Sequence, residues 1–413
     1  MRLGLLTEWY DPEPGPAALP GALARGLVAR GHEVHVLTGF PNYPTGEVFP
    51  GYRVQRRTDD LVDGVHVRRV ALYPSHGRSA VKRFATYGSF GLSALVNGLS
   101  ALRGLDAIWV NYSPITVAWP MWAAQLAFRV PTVVHVLDLW PDTVLASGFA
   151  SGGAGYRAAA AVMNPWCNAM YRSAATVAYI APGVGGVLER RGVSREKLRY
   201  VPMWAEESVF HPSDSSMRRD LGIDEDAIVL LYAGTLGEAQ GLDSLVDACR
   251  RVTDSRFACV IAGSGTTERR LRERAEDVEN VRFIGRVPQE SMTRLMATCD
   301  ISYVGLRSHP LSHVTMPSKI QAGLAAGRAL LIAADGDAPG VVSDSGAGFS
   351  ADPSDPESIA SAIDEACALG REGLRTMGAR AREYYLETFS LDRGVGTIEK
   401  LLAEAAAERT GAR

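Results

Sequence analysis

The chain has 413 residues, and 43 Lys and Arg against 46 Asp and Glu give a formal charge of −3. Hydrophobic residues make up 46% and charged residues 22%, which is typical of a folded protein and excludes a disordered one. The near-neutral balance argues against a general nucleic-acid binder, because such proteins need a basic face to displace counterions from phosphates. Five scattered cysteines without a Cys-x-x-Cys pair predict neither a zinc site nor a disulfide framework.

Short apolar runs alternate with helical segments along the first half of the chain. Residues 3–7 predict a buried strand, which a proline-rich loop and a helix over 17–30 follow. Further strands are predicted over 32–38, 65–70, 107–111, 132–136, 176–180 and 198–201. Helices are predicted over 80–102, 115–128 and 154–171, and another helix follows the strand 176–180 and runs through residue 191. Residues 39–57 are predicted to form a long irregular loop.

The same alternation restarts after residue 212, with strands over 227–233, 257–262, 281–284, 301–304 and 330–333. The last helices are predicted over 355–369, 371–388 and 391–407. Two successive β/α halves predict an α/β protein with two doubly wound domains, residues 1–204 and 205–388. We expect residues 389–413 to form a helix that packs back on the first domain.

Targeting signals are not predicted. The apolar run 3–7 ends at Glu8 and is too short for a secretory signal, and no apolar run reaches the length of about 18 residues that spans a bilayer. We therefore expect a cytoplasmic protein.

Arg78, Lys82 and Arg83 precede a predicted amphipathic helix over 84–102, which favours peripheral contact with the inner face of an anionic membrane. Packing of its apolar face into the core is the alternative, and both remain open.

Glycine-rich loops follow the strands of the second half. Gly234, Thr235, Gly237 and Gln240 come after the strongest predicted strand, and Gly263 holds the equivalent place one unit later. Glycines between a strand and a helix let backbone N–H groups approach an anionic group. A turn that needs positive φ is the structural alternative.

Residues 316–319 are the sharpest local signal. Pro317 is well placed to begin a helix, so Ser318 and Lys319 lie in its first turn. Backbone N–H groups and the ammonium would together form a cationic phosphate site.

Two candidate site residues lie in the first half of the chain: Gly15, in the loop after the first strand, and Asp138, at the end of a buried strand. Carboxylates at that edge can orient hydroxyls or move protons.

The order and spacing of several segments resemble the family-4 glycosyltransferases, which have the GT-B fold: two Rossmann-like domains facing a central cleft. Within that family, the chain is most similar to a subgroup of colanic-acid and O-antigen transferases, typified by fucosyl and N-acetylfucosaminyl transferases. The resemblance covers nearly the whole chain and rests on residues 30–34, 41–46, 138–141, 201–204, 210–212, 232–241, 316–319 and 324–327.

Several positions depart from the family pattern. An Arg and a Lys of the family's glycine-rich loop correspond to Thr235 and Gln240 here. Its paired glutamates fall near Val314 and Ala322, and its first-domain histidine falls near Leu137 or Asp138. Because the subgroup shows similar replacements, the resemblance implies an active enzyme.

The implied activity is retaining transfer of a sugar from a nucleoside diphosphate donor, of UDP or GDP type, to a hydroxyl acceptor, which a lipid can carry. The pathway would be polysaccharide or glycosylated-metabolite biosynthesis. Asp138 and Lys319 would be catalytic, and Asn42 and Tyr43 would lie on the acceptor side. The donor would contact Gly15, Gly234, Thr235, Gly237, Gln240, Gly263, Arg286, Val287, Ser318 and Lys319, with Arg307 as a helper.

Neither a metal nor another cofactor is expected, because backbone N–H groups and Lys319 would hold the phosphates. Two alternatives remain open. A nucleotide-sugar 2-epimerase shares the GT-B architecture, and a non-catalytic sugar-nucleotide-binding partner would explain the missing glutamates.

Overall fold

The computed structural model describes residues 1–14, 18–75, 80–144 and 154–411. The chain forms two compact units, Met1–Pro202 with Leu391–Arg413, and Met203–Ser390. Each unit contains one sheet, and parallel pairing dominates both. The predicted α/β class with two doubly wound domains is confirmed.

In its described part, the first unit has eight strands: β1 (Arg2–Leu6), β2 (Glu33–Gly39), β3 (Arg57–Val62), β4 (Val65–Val70), β5 (Ala107–Asn111), β6 (Thr132–Val136), β7 (Thr176–Tyr179) and β8 (Leu198–Tyr200). Their order is β3-β4-β2-β1-β5-β6-β7-β8. Every residue of β5 and β6 is buried, as expected for parallel strands covered on both faces.

Strand β3 was not predicted. It pairs antiparallel with β4 at the edge of the sheet, and most of its residues are exposed, so it lacks an apolar run. The turn residues Asp63 (φ 50°) and Gly64 (φ 78°) both have positive φ, which matches the twist of a two-residue hairpin. The Asp-Gly pair was therefore the available signal for this strand.

Before the chain enters the second unit, it forms the helices α1 (Leu19–Ala29), α2 (Ala80–Ser93), α3 (Ala118–Phe128), α4 (Asp142–Val144), α5 (Ala154–Ser173) and α6 (Pro182–Arg190). Helix α2 continues through a π-helical turn over Ala94–Gly98 and a 3₁₀ turn over Leu99–Leu102. The predicted helix over 80–102 therefore exists, although its hydrogen-bonding pattern changes along its length.

The second unit has six strands, β9 (Ile228–Ala233), β10 (Phe257–Ala262), β11 (Val281–Gly285), β12 (Ile301–Gly305), β13 (Ala329–Ala333) and β14 (Gly348–Ala351). They pair in parallel in the order β11-β10-β9-β12-β13-β14. The short edge strand β14 was not predicted. Along β9, Leu230 and Leu231 pack into different hydrophobic clusters, so the sheet buries apolar side chains on both faces.

The helices of the second unit are α7 (Leu242–Cys249), α8 (Glu268–Arg274), α9 (Met292–Thr298), α10 (Ser318–Ala325), α11 (Asp337–Ser345) and α12 (Pro356–Thr388). Asp355 caps α12 by accepting a hydrogen bond from the Glu357 N–H at 2.9 Å. Gly370, with φ 65°, interrupts α12 at the point where the sequence predicts two helices.

The last helix, α13 (Leu391–Gly411), belongs to the first unit. Its Glu399 accepts a hydrogen bond at 2.6 Å from the His32 ring, and its Asp392 pairs with Arg30. Val395 packs against Gly26 of α1, where an added Cβ would lie 2.7 Å from a Val395 methyl carbon. The chain therefore returns to its first unit after the second is complete.

Candidate functional site

The loops at the carboxyl edge of the second sheet are joined by backbone hydrogen bonds. The Gly234 N–H donates to the Ala262 carbonyl at 2.9 Å, and the Gly263 N–H donates to the Gly285 carbonyl at 2.7 Å. The loops that follow β9, β10 and β11 are thus held side by side. This is the edge at which open α/β sheets bind ligands.

Glycine is required where these loops touch. Gly263 has φ 136°, and an added Cβ would lie 1.8 Å from the Gly234 carbonyl oxygen. Gly234 has φ 150°, and its Cβ would lie 2.6 Å from Cε of Lys319. A side chain at either position would therefore push the loops apart or displace Lys319.

Lys319 lies in the first turn of α10, directly beside the backbone of Gly234. Its Nζ lies 5.2 Å from the ring centroid of Tyr232, a cation–π contact. The Tyr232 hydroxyl donates to the Thr235 carbonyl at 2.6 Å, which fixes the ring under the glycine-rich loop. The ammonium is therefore held at the carboxyl end of β9.

The Lys319 ammonium is half-buried, and this burial lowers its pKa. Among the described residues it forms no ion pair with a carboxylate, so its charge is available to an anion. The side chain of Pro317 provides no cap for α10, which leaves N–H groups of its first turn to other acceptors. An ammonium beside a helix N-terminus is suited to bind phosphate.

The other predicted donor residues differ in their surroundings. Thr235, Ser318 and Arg286 are exposed, whereas Val287 is half-buried and packs against the cluster around Val229. The Gln240 side chain folds over Gly237, where an added Cβ would lie 2.8 Å from its Oε1 atom. Gly15 lies outside the described residues.

Arg307, the predicted helper, lies close to two carboxylates. Its guanidinium is 3.3 Å from Glu238 and 3.5 Å from Asp243. Arg270 pairs with the same two carboxylates, at 2.7 Å and 2.9 Å. Much of the Arg307 charge is therefore compensated within the protein, unlike that of Lys319.

Carboxyl groups occupy the corresponding edge of the first sheet. The Glu13 carboxylate accepts hydrogen bonds from the N–H groups of Asn42 at 2.7 Å and Tyr43 at 2.8 Å. Burial raises the pKa of Glu13, and these hydrogen bonds oppose the increase. Asn42 is itself buried, and its side-chain N–H donates to the Phe40 carbonyl at 3.0 Å. Glu13 and Asn42 thus hold the loop that presents Tyr43.

Asp138 follows β6 and is exposed to solvent. The surrounding protein reduces its hydration and raises its pKa, and the Ser113 hydroxyl opposes this increase. The Asp138 charge in turn raises the pKa of both Tyr43 and Tyr87, in addition to the effect of their burial. The carboxylate is thus accessible and lies among phenol groups.

Sequence reasoning missed Glu8, which lies two residues beyond the end of β1 and is only 3% exposed. Its Oε2 atom has no hydrogen-bond partner among the described residues, and burial and the nearby Glu13 raise its pKa well above the usual range. Its charge also contributes to the pKa of about 12 at Tyr87. A polar residue just after a buried strand was the available signal, as it was for Asp138.

His135 on β6 belongs to the core. The Trp109 N–H donates to its Nδ1 at 3.3 Å, so the proton is on Nε2, which donates to the Val201 carbonyl at 3.0 Å. Burial lowers its pKa to about 4. A neutral ring with both nitrogens occupied is a packing element and not an acid or base.

Two family models match nearly the whole chain: a Glycosyl transferase 4-like domain over residues 15–204 and Glycosyl transferases group 1 over residues 213–384. The chain is a family-4 glycosyltransferase. This glycosyltransferase is 26% identical over 337 residues to the Escherichia coli K12 protein named "Putative colanic acid biosynthesis glycosyl transferase WcaI", covering 79% of this chain and 81% of that protein.

Solved structures show the fold of this glycosyltransferase. Sucrose-phosphate synthase from Thermosynechococcus elongatus superposes with a TM-score of 0.72 at 19% identity, covering 98% of this chain and 99% of that one. Anabaena HepE, solved in complex with UDP-glucose, gives a TM-score of 0.64 at 17% identity, covering 99% of this chain and 100% of that one. The predicted GT-B fold is confirmed.

Replacing Lys319 with alanine is expected to lower kcat/KM for sugar transfer by roughly 30- to 1,000-fold, about 2–4 kcal/mol, as for other lost groups that stabilise developing negative charge. Donor affinity of the unmodified enzyme should fall as pH rises through the lowered pKa of Lys319, because the neutral amine no longer attracts a diphosphate. The Lys319→Ala enzyme should show no such decline.

Steady-state kinetics and donor titrations across pH test both expectations. Lys400→Ala is the matched control, because this lysine is exposed on α13 and contacts Glu404 at 3.9 Å. Equal kcat/KM for Lys319→Ala and the unmodified enzyme would contradict the assignment of Lys319 to the donor site.

Proposed function

We propose that this glycosyltransferase moves a sugar from a nucleoside diphosphate donor to a hydroxyl acceptor with retention of anomeric configuration. The observation that carries the proposal is the half-buried Lys319 ammonium, which lies against Gly234 without a carboxylate partner among the described residues. A desolvated cation in this position favours an anionic ligand. The UDP-glucose complex of HepE supports a UDP-type donor, and a GDP-type donor remains the alternative.

On the donor side, negative charge builds up on the leaving diphosphate as the glycosidic bond breaks. Lys319 and the N–H groups at the start of α10 would stabilise that charge more in the transition state than in the ground state. The loop around Gly237 and Gln240 would border the diphosphate, with exposed Arg286 near the base. In a retaining reaction by front-face attack, the departing phosphate oxygen receives the acceptor proton.

On the acceptor side, the carboxyl edge of the first sheet offers both kinds of hydrogen-bonding group. The exposed Asp138 carboxylate would accept a hydrogen bond from an acceptor hydroxyl. Glu8, whose pKa is raised well above the usual range, would donate as a neutral carboxylic acid. Tyr43 and Tyr87 contribute hydroxyl groups and apolar ring surface, a mixture typical of small-molecule sites.

A panel of UDP- and GDP-sugars tests the function directly. One donor class should raise the melting temperature, because a ligand that binds the native state stabilises it, and Lys319→Ala should lose that increase. Nuclear magnetic resonance of the product should then show the donor's anomeric configuration when a hydroxyl acceptor is added. An inverted product would contradict retention.

Two other outcomes would contradict transfer altogether. Inversion at C2 of the donor sugar without acceptor would identify a 2-epimerase. Donor binding without transfer across a broad acceptor panel would identify a non-catalytic binding partner.

Asp138→Asn is expected to lower kcat roughly 10- to 100-fold, the contribution of a hydrogen bond to a charged group, while the affinity for the nucleotide stays nearly unchanged. Separate measurements of kcat and of nucleotide dissociation distinguish this from a donor-side effect. Weaker nucleotide binding with unchanged kcat would contradict the assignment of Asp138 to the acceptor side.

Glu8→Gln provides a matched comparison. A neutral carboxylic acid and an amide both donate a hydrogen bond, so we expect this variant to retain most of its activity at neutral pH. A loss as large as that of Asp138→Asn would mean that Glu8 acts as a carboxylate.

The acceptor carrier is proposed from the surface of α2 and its continuation. Phe90, Ala94 and Leu102 are fully buried, so one face of this segment packs into the first unit. Phe84, Leu92 and Val96 remain exposed on another face, and Lys82 precedes them. Among the described residues, no helix is long and apolar enough to cross a membrane. The exposed face suits peripheral contact with a membrane that carries a lipid-linked acceptor. Arg78 lies outside the described residues.

Flotation with liposomes tests this contact. The protein should float with anionic vesicles at low salt and much less at high salt, because screening shortens electrostatic attraction to about 8 Å at physiological ionic strength. A Leu92→Ser, Val96→Ser variant should float less at both salt concentrations. Absence of flotation at low salt would favour a soluble acceptor.

A further inference from the structure

Two histidines and a glutamate meet on one face of the first sheet, and none of the three is assigned a part in sugar transfer. Glu33 is the first residue of β2, and His35 lies two positions later on the same face. His66 on β4 is the register partner of His35 in the parallel pair. Strand geometry therefore places the three side chains together.

The geometry of this cluster is close to that of a chelate. The rings of His35 and His66 stack with centroids 4.6 Å apart and an interplanar angle of 12°. The Nε2 atom of His35 lies 2.7 Å from Oε1 of Glu33. One ligand atom from each residue lies within 4.8 Å of the other two. His66 is exposed, and no hydrogen bond engages its ring among the described residues.

We propose that Glu33, His35 and His66 bind a zinc ion, with water as the fourth ligand. Two imidazoles and one carboxylate form a donor set that Zn²⁺ prefers and that Mg²⁺ and Ca²⁺ do not. Tetrahedral bonds of about 2.1 Å place ligand atoms roughly 3.4 Å apart, so small side-chain rotations must bring the three groups together. The exposure of Glu33 and His66 allows that movement.

Arg2 supports the carboxylate from the side. Its Nε donates to both oxygens of Glu33 at 3.2 Å, and its Nη1 donates to the Gly104 carbonyl at 3.3 Å. A hydrogen bond of this kind orients a ligating carboxylate. The guanidinium charge also repels a cation, so we expect weaker binding than at a structural zinc site with cysteine ligands.

The position of the cluster indicates a structural role. Glu33 begins β2 and His66 is the second residue of β4, so the cluster lies toward the amino ends of these strands. Glu8 follows the carboxyl end of β1, which pairs in parallel with β2, and Asp138 follows the carboxyl end of β6 in the same sheet. A bound ion would cross-link β2 to β4 and stabilise the sheet edge that carries β3. Zinc binding at this cluster would require none of the residues assigned to the donor or the acceptor.

The test uses the full-length chain without a histidine tag. Calorimetric titration with ZnCl₂ should show one ion per chain, and the melting temperature should rise with ZnCl₂ but not with MgCl₂. His66→Ala should weaken zinc binding at least tenfold and abolish the temperature increase. His211→Ala is the matched control, because His211 is also exposed but lies outside the cluster, where its Nδ1 forms a hydrogen bond with the neighbouring Pro212 carbonyl.

Co²⁺ titration adds a spectroscopic measurement, since visible absorption of a tetrahedral complex should appear in the unmodified chain and disappear in Glu33→Gln. Circular dichroism verifies that each variant is folded, and His66→Gln replaces His66→Ala if the latter is not. Absence of zinc binding by the unmodified chain, or binding by the His66 and Glu33 variants as tight as that of the unmodified chain, would overturn the proposal.

Discussion

The carboxyl edge of the second sheet depends on one close approach, that of the Lys319 side chain to the backbone of Gly234. The contact leaves no space for a Cβ atom at Gly234, and Gly263 is confined in the same way by the Gly234 carbonyl. Because the loops are joined by backbone hydrogen bonds, Lys319 meets a fixed surface and does not need a carboxylate to hold it. A cation positioned in this way remains available to a ligand.

The two sheets present opposite chemistry at their carboxyl edges. The first unit presents Glu8 and Asp138, which suit neutral hydroxyl groups, whereas the second presents an ammonium and a helix N-terminus, which suit phosphate. The family resemblance places Thr235 and Gln240 where relatives carry cations, so the proposed donor site relies on Lys319 for positive charge. Arg307 does not replace them fully, because Glu238 and Asp243 compensate its charge.

Burial acts differently on the titratable groups of the two units. It lowers the pKa of Lys319 and raises that of Glu8, and in each case it disfavours the charged form. For Lys319 a bound diphosphate would reverse the effect, so the proposed binding of the donor would be coupled to protonation of this lysine. For Glu8 the neutral acid is the form suited to donate a hydrogen bond.

The sequence by itself determined the two β/α halves, since buried parallel strands require continuous apolar runs such as those of β9 and β10. It also predicted that Lys319 lies in the first turn of a helix and that Asp138 follows a buried strand, because both positions can be recognised locally. Only the tertiary structure decided the features that depend on distant partners. The edge strands β3 and β14 lack a strong apolar run, and the burial of Glu8 depends on the loops packed around it. The pairing of His35 with His66 depends on strand register, which joins residues 31 positions apart. Such contacts leave no periodic pattern in the sequence, because each residue is locally unremarkable until the sheet brings its partner beside it.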